Sequence, residues 1–195
     1  MNIPQERNKT MSLSGKKIVL IIANEGYQST EYGIPKQLLR EANAQVITAS
    51  NKPGGAIAQD QSTTKVDITL NYLDTHVTDY DGIFFIGGPG ALENLDNSTS
   101  YSIIAQTKKH NIPYGAICVA PRILAKGYGL EGKKATGWNN DNALETILTG
   151  FGAIYTPHPI VTDGLVVTAS GPEAAKEFAE GIIRVITKKE LSKKE

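Results

Sequence analysis

The chain has 195 residues, 40% hydrophobic and 21% charged, as in one ordinary globular domain with a full-sized core. Its 20 basic and 20 acidic side chains cancel, so no charge surplus points to nucleic acid or an anionic membrane, and small molecules or other proteins remain as partners. A lone cysteine excludes an internal disulfide, residues 1–16 lack a signal peptide's apolar run, and no stretch reaches the roughly 20 apolar residues of a membrane helix, so a cytoplasmic location is expected.

Residues 1–15 read as a disordered N-terminal extension, 16–188 as a single domain and 189–195 as a Lys/Glu-rich tail. The run KIVLIIA at 17–23 is apolar throughout and β-branched, as in a strand buried on both faces. A polar loop follows, then a helix over 31–42 with Ile34, Leu38, Leu39 and Ala42 at helical spacing and Pro35 in its first turn. Residues 44–50 return as a strand, and the Gly-rich stretch 53–70 suggests a small hairpin. A buried strand at 82–86 ends in Gly87-Gly88-Pro89-Gly90. Next come a helix near 98–110, a short strand at 113–117 and a helix at 120–127 that stops at Gly127 or Gly129. A helix at 141–149, a strand pair within 160–168 and an amphipathic helix at 173–188 complete the chain. Strands alternating with helices at this pitch imply a mostly parallel sheet covered on both faces.

In open sheets of this kind, sites lie beyond the carboxyl ends of the strands. Three loops leave those ends, 24–31, 87–93 and 118–121, and chain order predicts that they converge. Cys118 stands between a buried strand and a helix start, the position of a nucleophile elbow. Gly115, Ala116 and Ala120 leave room for a tight turn, and Pro121 suits the first turn of the helix. Unpaired N–H groups there favour the thiolate, and those of Val119 and Gly88 could stabilise an oxyanion. The alternative is that Cys118 is a small buried hydrophobe.

The run Ala116-Ile117-Cys118-Val119-Ala120-Pro121 resembles the A-[IS]-C-[HAG]-G-P elbow of the PfpI/ThiJ-type family, in the class I glutamine-amidotransferase-like superfamily. Residues 17–35, with Glu31 ahead of Ile34-Pro35, are similar to its first strand and acid-bearing loop. GIFFIGGPGALENL at 82–95 and DGLVVTASGPEAAKEF at 163–178 resemble two further family segments, so the likeness spans about residues 16–187. It implies a flavodoxin-like three-layer sandwich, a homodimer, and Glu31 set against Cys118 as a neutral carboxyl beside a reactive thiolate. Taken alone, Glu31 reads sooner as a first-turn acid complementing the helix dipole.

The family's histidines are missing. Val119 occupies the position that carries one in protease-like members, and Trp138 that of the deglycase-like members, so proton delivery lacks its usual carrier. His76 and His110 precede strands running toward the site and belong at the far end of the sheet. His158, between Pro157 and Pro159, is left as the one histidine compatible with the site, or as an ordinary loop residue. Trp138 either lines the pocket or packs as a core residue. Glu93 has no histidine to orient and reads as a surface residue. The G-x-x-x-x-G-K-K run at 127–134 lacks the hydroxyl that would hold magnesium and follows a helix, so it is no phosphate loop. No metal and no cofactor is expected.

The resulting expectation is a Cys118-dependent enzyme acting on small reactive carbonyls, glyoxalase- or deglycase-like. Cys118 and Glu31 would be catalytic, and Gly87, Gly88, Val119 and Trp138 would form the oxyanion and substrate sites. The alternatives are a non-enzymatic oxidative-stress sensor working through Cys118 oxidation, or a peptidase- or amidase-like hydrolase of the same family.

Overall fold

A computed structural model describes residues 11–192. In chain order the elements are β1 (Lys17–Ile22), β2 (Glu25–Tyr27), α1 (Ser29–Glu41), β3 (Gln45–Ser50), β4 (Gly55–Ala58), β5 (Thr63–Lys65), β6 (Ile68–Thr69), α2 (Leu70–Thr75) and β7 (Gly82–Phe85). There follow α3 (Ala91–Leu95), α4 (Ser98–Lys109), β8 (Tyr114–Ile117), α5 (Pro121–Lys126), β9 (Lys134–Ala135), α6 (Leu144–Gly150), β10 (Ile154–Tyr155), β11 (Ile160–Asp163), β12 (Val166–Ala169) and α7 (Ala175–Ser192). The main sheet has the order β11-β12-β8-β7-β1-β3-β6. All its pairings are parallel except β11 with β12, which forms the expected strand pair as an antiparallel edge.

Alternation along β1 explains the two layers of helix. Ile18, Leu20 and Ile22 enter one apolar cluster with Phe84, Phe178 and Ile182, beneath α1 and α7. Val19 and Ile21 enter the opposite cluster with Ile83, Phe85, Ile103 and Leu124, beneath α2, α4 and α5. Burying one such side chain is worth about 1.5–3 kcal/mol, so a strand apolar on both faces is stable only between two helical layers. The result is the flavodoxin-like three-layer arrangement.

Several boundaries differ from expectation. Residues 11–15 do not behave as an extension, because Leu13 is buried in the α1–α7 layer and donates its N–H to the Ala42 carbonyl at 2.6 Å. The rest of the expected extension, residues 1–10, lies outside the described residues. At the other end α7 runs on through Lys189 and Glu190 to Ser192, since Lys and Glu are good helix formers, and Glu190 pairs with Lys16 at 2.7 Å. Residues 193–195 lie outside the described residues. Pro35 falls in the middle of α1, which starts two residues earlier than expected because Gln28 caps it. The short helices α2 and α3 and the strands β2, β9 and β10 are additional to the expected elements.

One close approach sets the position of the site. A Cβ on Gly115 in β8 would lie 1.8 Å from the Val167 carbonyl oxygen of β12. Only a glycine lets these two strands pair, and their pairing carries Ala169 beside Ile117 at the sheet's carboxyl edge. Gly115→Ala is expected to cost about 3 kcal/mol through overpacking, seen as a lower urea midpoint at unchanged slope.

Candidate active site

At the end of β8 the chain turns sharply. Cys118 has φ 66°, in the left-handed region that residues with a side chain rarely enter, at a cost of about 1–3 kcal/mol. Backbone bonds hold it there: Cys118 donates its N–H to the Ala169 carbonyl at 2.9 Å, and its own carbonyl accepts from the Trp138 N–H at 2.7 Å. The Gly88 and Val119 N–H groups point at the sulfur, so both expected oxyanion donors stand beside Cys118.

Glu31 reaches the same point from α1. The Gln28 side-chain oxygen accepts from the N–H groups of Thr30 at 2.6 Å and Glu31 at 3.0 Å, which fixes the helix start. The Gln28 N–H in turn donates to the Gly87 carbonyl at 3.0 Å, tying the first loop to the second. Glu31 is fully buried, and its Oε2 accepts the Gly87 N–H at 3.1 Å. Its Oε1 has no hydrogen-bond partner among the described residues, and Cys118 is the side chain that acts on the carboxyl as a whole. A Cβ on Gly87 would sit 2.5 Å from the Cys118 Cβ and 2.7 Å from Glu31 Oε2, so any side chain there would force the pair apart. Gly87 thus serves as spacer and as a donor to Glu31, not as an oxyanion donor.

Burial pushes the Glu31 carboxyl up to about 7, against the bonds from Cys118 and Gly87, with a further upward push from Glu173. Burial also pushes the Cys118 thiol up, with the Glu31 charge and hydrogen bond adding to it, to about 12. The Gly88 and Val119 N–H groups pull it down, but less. Beside an ionised Glu31 the thiol is held in its protonated form, whereas the resemblance implies a thiolate beside a neutral carboxyl. Above about 7 the pair holds a single proton between two atoms, and its titration belongs to both groups.

A cleft of about 560 Å³ opens beside the elbow. Trp138 forms part of its wall and at the same time packs, partly buried, against the core beneath α1 and α7. The Trp138 backbone is anchored by Arg122, which is almost fully buried, donates to the Trp138 carbonyl at 3.2 Å and holds both Asp141 oxygens at 2.7 and 2.9 Å. The Arg122 guanidinium also lies over the Trp138 ring, 5.5 Å from its centroid. His158 lines the same cleft, as does Glu173. His76, stacked on Tyr72, and His110, at the end of α4, precede β7 and β8 at the sheet's amino end. Glu93 is exposed on α3, as a surface residue. Sequence reasoning missed Gln28, Arg122, Asp141 and Glu173. Gln28 and Asp141 have the cap-like positions that could have flagged them, whereas Arg122 reads only as one polar residue on a core helix.

A sequence profile of the DJ-1/PfpI family matches residues 16–185. The chain belongs to this family. DJ-1/PfpI proteins include deglycases, proteases and stress proteins. Among relatives, an uncharacterised protein of Methanocaldococcus jannaschii is 29% identical over 189 residues, covering 96% of this chain and 91% of its own. The DJ-1 homolog B of Arabidopsis thaliana is 28% identical, covering 88% of this chain but 38% of its own length. Among solved structures, a ThiJ/PfpI domain protein of Brachyspira murdochii superposes with a TM-score of 0.82 at 22% identity, over 89% of this chain and 99% of its own. Toxoplasma gondii DJ-1 in an oxidised form gives 0.77 at 24% identity, over 92% and 95%. These likenesses show the DJ-1/PfpI fold. Among the described residues, no helix is long and apolar enough to cross a membrane, and no cluster of His, Cys, Asp or Glu could hold a metal ion.

The raised Glu31 pKa makes a stability statement. Between the ordinary carboxyl value near 4.5 and about 7, the folded chain keeps a proton that the unfolded chain releases, so stability falls as pH rises through this window, by at most about 3 kcal/mol. Glu31→Gln keeps the shape and the acceptor for Gly87 while removing the titration. Thermal melts should show the variant gaining several degrees over the parent at pH 8 and losing that advantage at pH 4.5.

Proposed function

We propose that this DJ-1/PfpI protein is a Cys118-dependent enzyme acting on 2-oxoaldehydes, converting them with one water to 2-hydroxy acids. The observation that carries the reading is a fully buried carboxyl set against the elbow thiol with only Gly87 between them, and the Gly88 and Val119 N–H groups beside the sulfur.

As the sulfur adds to the aldehyde carbon, its proton passes to the Glu31 carboxylate, so no standing thiolate is needed. The oxyanion that develops lies against the Gly88 and Val119 N–H groups, and Glu31 returns the proton to give the hemithioacetal. The same carboxylate then removes the C1 hydrogen as a proton and delivers it to C2, while the hydroxyl proton passes from the C1 oxygen to the C2 oxygen. The aldehyde carbon is thereby oxidised and the ketone carbon reduced, leaving a 2-hydroxyacyl thioester. Water attacks the thioester carbonyl, the C–S bond breaks, and the thiol regains its proton. One carboxyl exchanging the proton at each step offsets the loss of the histidines replaced by Val119 and Trp138.

An oxidation-sensing role draws less support from this site, because only 8% of Cys118 is accessible to an oxidant.

Methylglyoxal consumption without glutathione should vanish in Cys118→Ala, and Glu31→Gln should lower kcat/KM by about 10²–10⁴-fold. An unchanged rate in Cys118→Ala removes the proposal. Because Glu31 must accept the thiol's proton, kcat/KM should rise as pH increases through about 7 and then level off, with that limb absent in Glu31→Gln.

A further inference from the structure

The cleft beside the elbow is much larger than a three-carbon dicarbonyl requires. At about 560 Å³ it falls within the range of sites that enclose drug-sized molecules. Its walls are joined to the elbow at three points. Trp138 follows Gly137, whose backbone is packed against the Cys118 carbonyl. Ser170 directly follows Ala169, the acceptor of the Cys118 N–H. Glu173 is close enough for its charge to act on Glu31.

The lining is distinctive in its chemistry. Tyr155, His158, Ser170 and Glu173 offer donors and acceptors in alternation, and among the described residues nothing bonds the His158 ring, the Ser170 hydroxyl or the Glu173 carboxylate. Asn139 already donates to the Tyr155 hydroxyl at 3.3 Å, which leaves that hydroxyl's own proton directed elsewhere. No lysine or arginine lines the cleft. A phosphorylated or carboxylated substrate calls for a charge-assisted clamp, and Glu173 would repel it. Scattered neutral donors and acceptors beside the flat apolar face of Trp138 instead match a chain of hydroxyl groups with C–H bonds on one side.

We propose that the substrates of Cys118 are neutral, polyhydroxylated 2-oxoaldehydes of sugar size, held through their hydroxyl tail by His158, Ser170 and Tyr155 and released as aldonic acids. The inference rests on the carbonyl reading of Cys118 and adds the substrate class. Pro157 and Pro159 limit the backbone freedom of His158, so its ring is presented to the cleft at reduced entropic cost. The selection comes from the tail and the chemistry from the elbow. Glucosone plus one water gives a six-carbon aldonic acid with no outside oxidant, by the same internal exchange between C1 and C2.

Binding and turnover can be read separately. Trp138 is the protein's single tryptophan, so its fluorescence reports cleft occupancy directly. In Cys118→Ala, glucosone should bind at least about tenfold more tightly than methylglyoxal. His158→Ala in that background should weaken glucosone by about tenfold, the loss of roughly one good hydrogen bond, and His158→Gln should restore most of it. In the intact protein, kcat/KM for glucosone should exceed that for methylglyoxal by a similar factor. Equal binding of the two dicarbonyls to Cys118→Ala, or glucosone binding indifferent to His158→Ala, overturns the assignment even if Cys118 proves essential for methylglyoxal turnover. Full methylglyoxal activity in Cys118→Ala would instead overturn the carbonyl reading, while the fluorescence titration still judges the cleft.

Discussion

The site depends on a carboxyl group and a thiol brought together where water is excluded, with only the backbone of Gly87 between them. Neither group is comfortable in its charged form there: the Glu31 charge raises the cost of ionising the thiol, while the thiol's hydrogen bond only partly offsets the cost of burying that charge. That mutual constraint explains why the surrounding structure is built from backbone bonds between loops. Gln28 ties the first loop to the second, Ala169 ties the hairpin edge to the elbow, and Trp138 ties the β9 loop to it. If any of these loosened, solvent would reach Glu31 and its carboxyl would return toward ordinary acidity.

The left-handed backbone at Cys118 is maintained by the same arrangement. Its neighbours on the sheet edge are fixed by the β8–β12 register, and that register is possible only because Gly115 has no side chain. A packing constraint in the middle of the sheet is thus transmitted to the reacting atom. The ion pair of Arg122 with Asp141 does similar work on the far wall, where it fixes the backbone of Trp138 instead of touching the chemistry.

Much of this was readable from the chain. The unbroken apolar runs at 17–23 and 82–86 identify strands covered on both sides, and the elbow is marked by a strand that runs straight into Cys118. The convergence of the three loops also followed from the order of the elements. The sense of the thiol's titration did not. Helix N–H groups are visible from the sequence and argue for thiolate, whereas the depth of burial and the charge of Glu31 act in space and prove stronger. The cap at Gln28 was missed because glutamine is not among the residues that usually cap a helix, and the anchor at Arg122 because its partners, Asp141 and Trp138, lie well along the chain. Leu13 was misread for a related reason: polar neighbours in sequence concealed one apolar contact that draws residues 11–15 onto the core.

The solitary thiol has a practical corollary. Only 8% of Cys118 is accessible, so an electrophile too bulky for the cleft can capture it only when the loops breathe. Since no second sulfhydryl competes for label, the capture rate is a direct clock for that breathing. Its dependence on ligand would show whether occupancy of the cleft closes the elbow or leaves it as mobile as before.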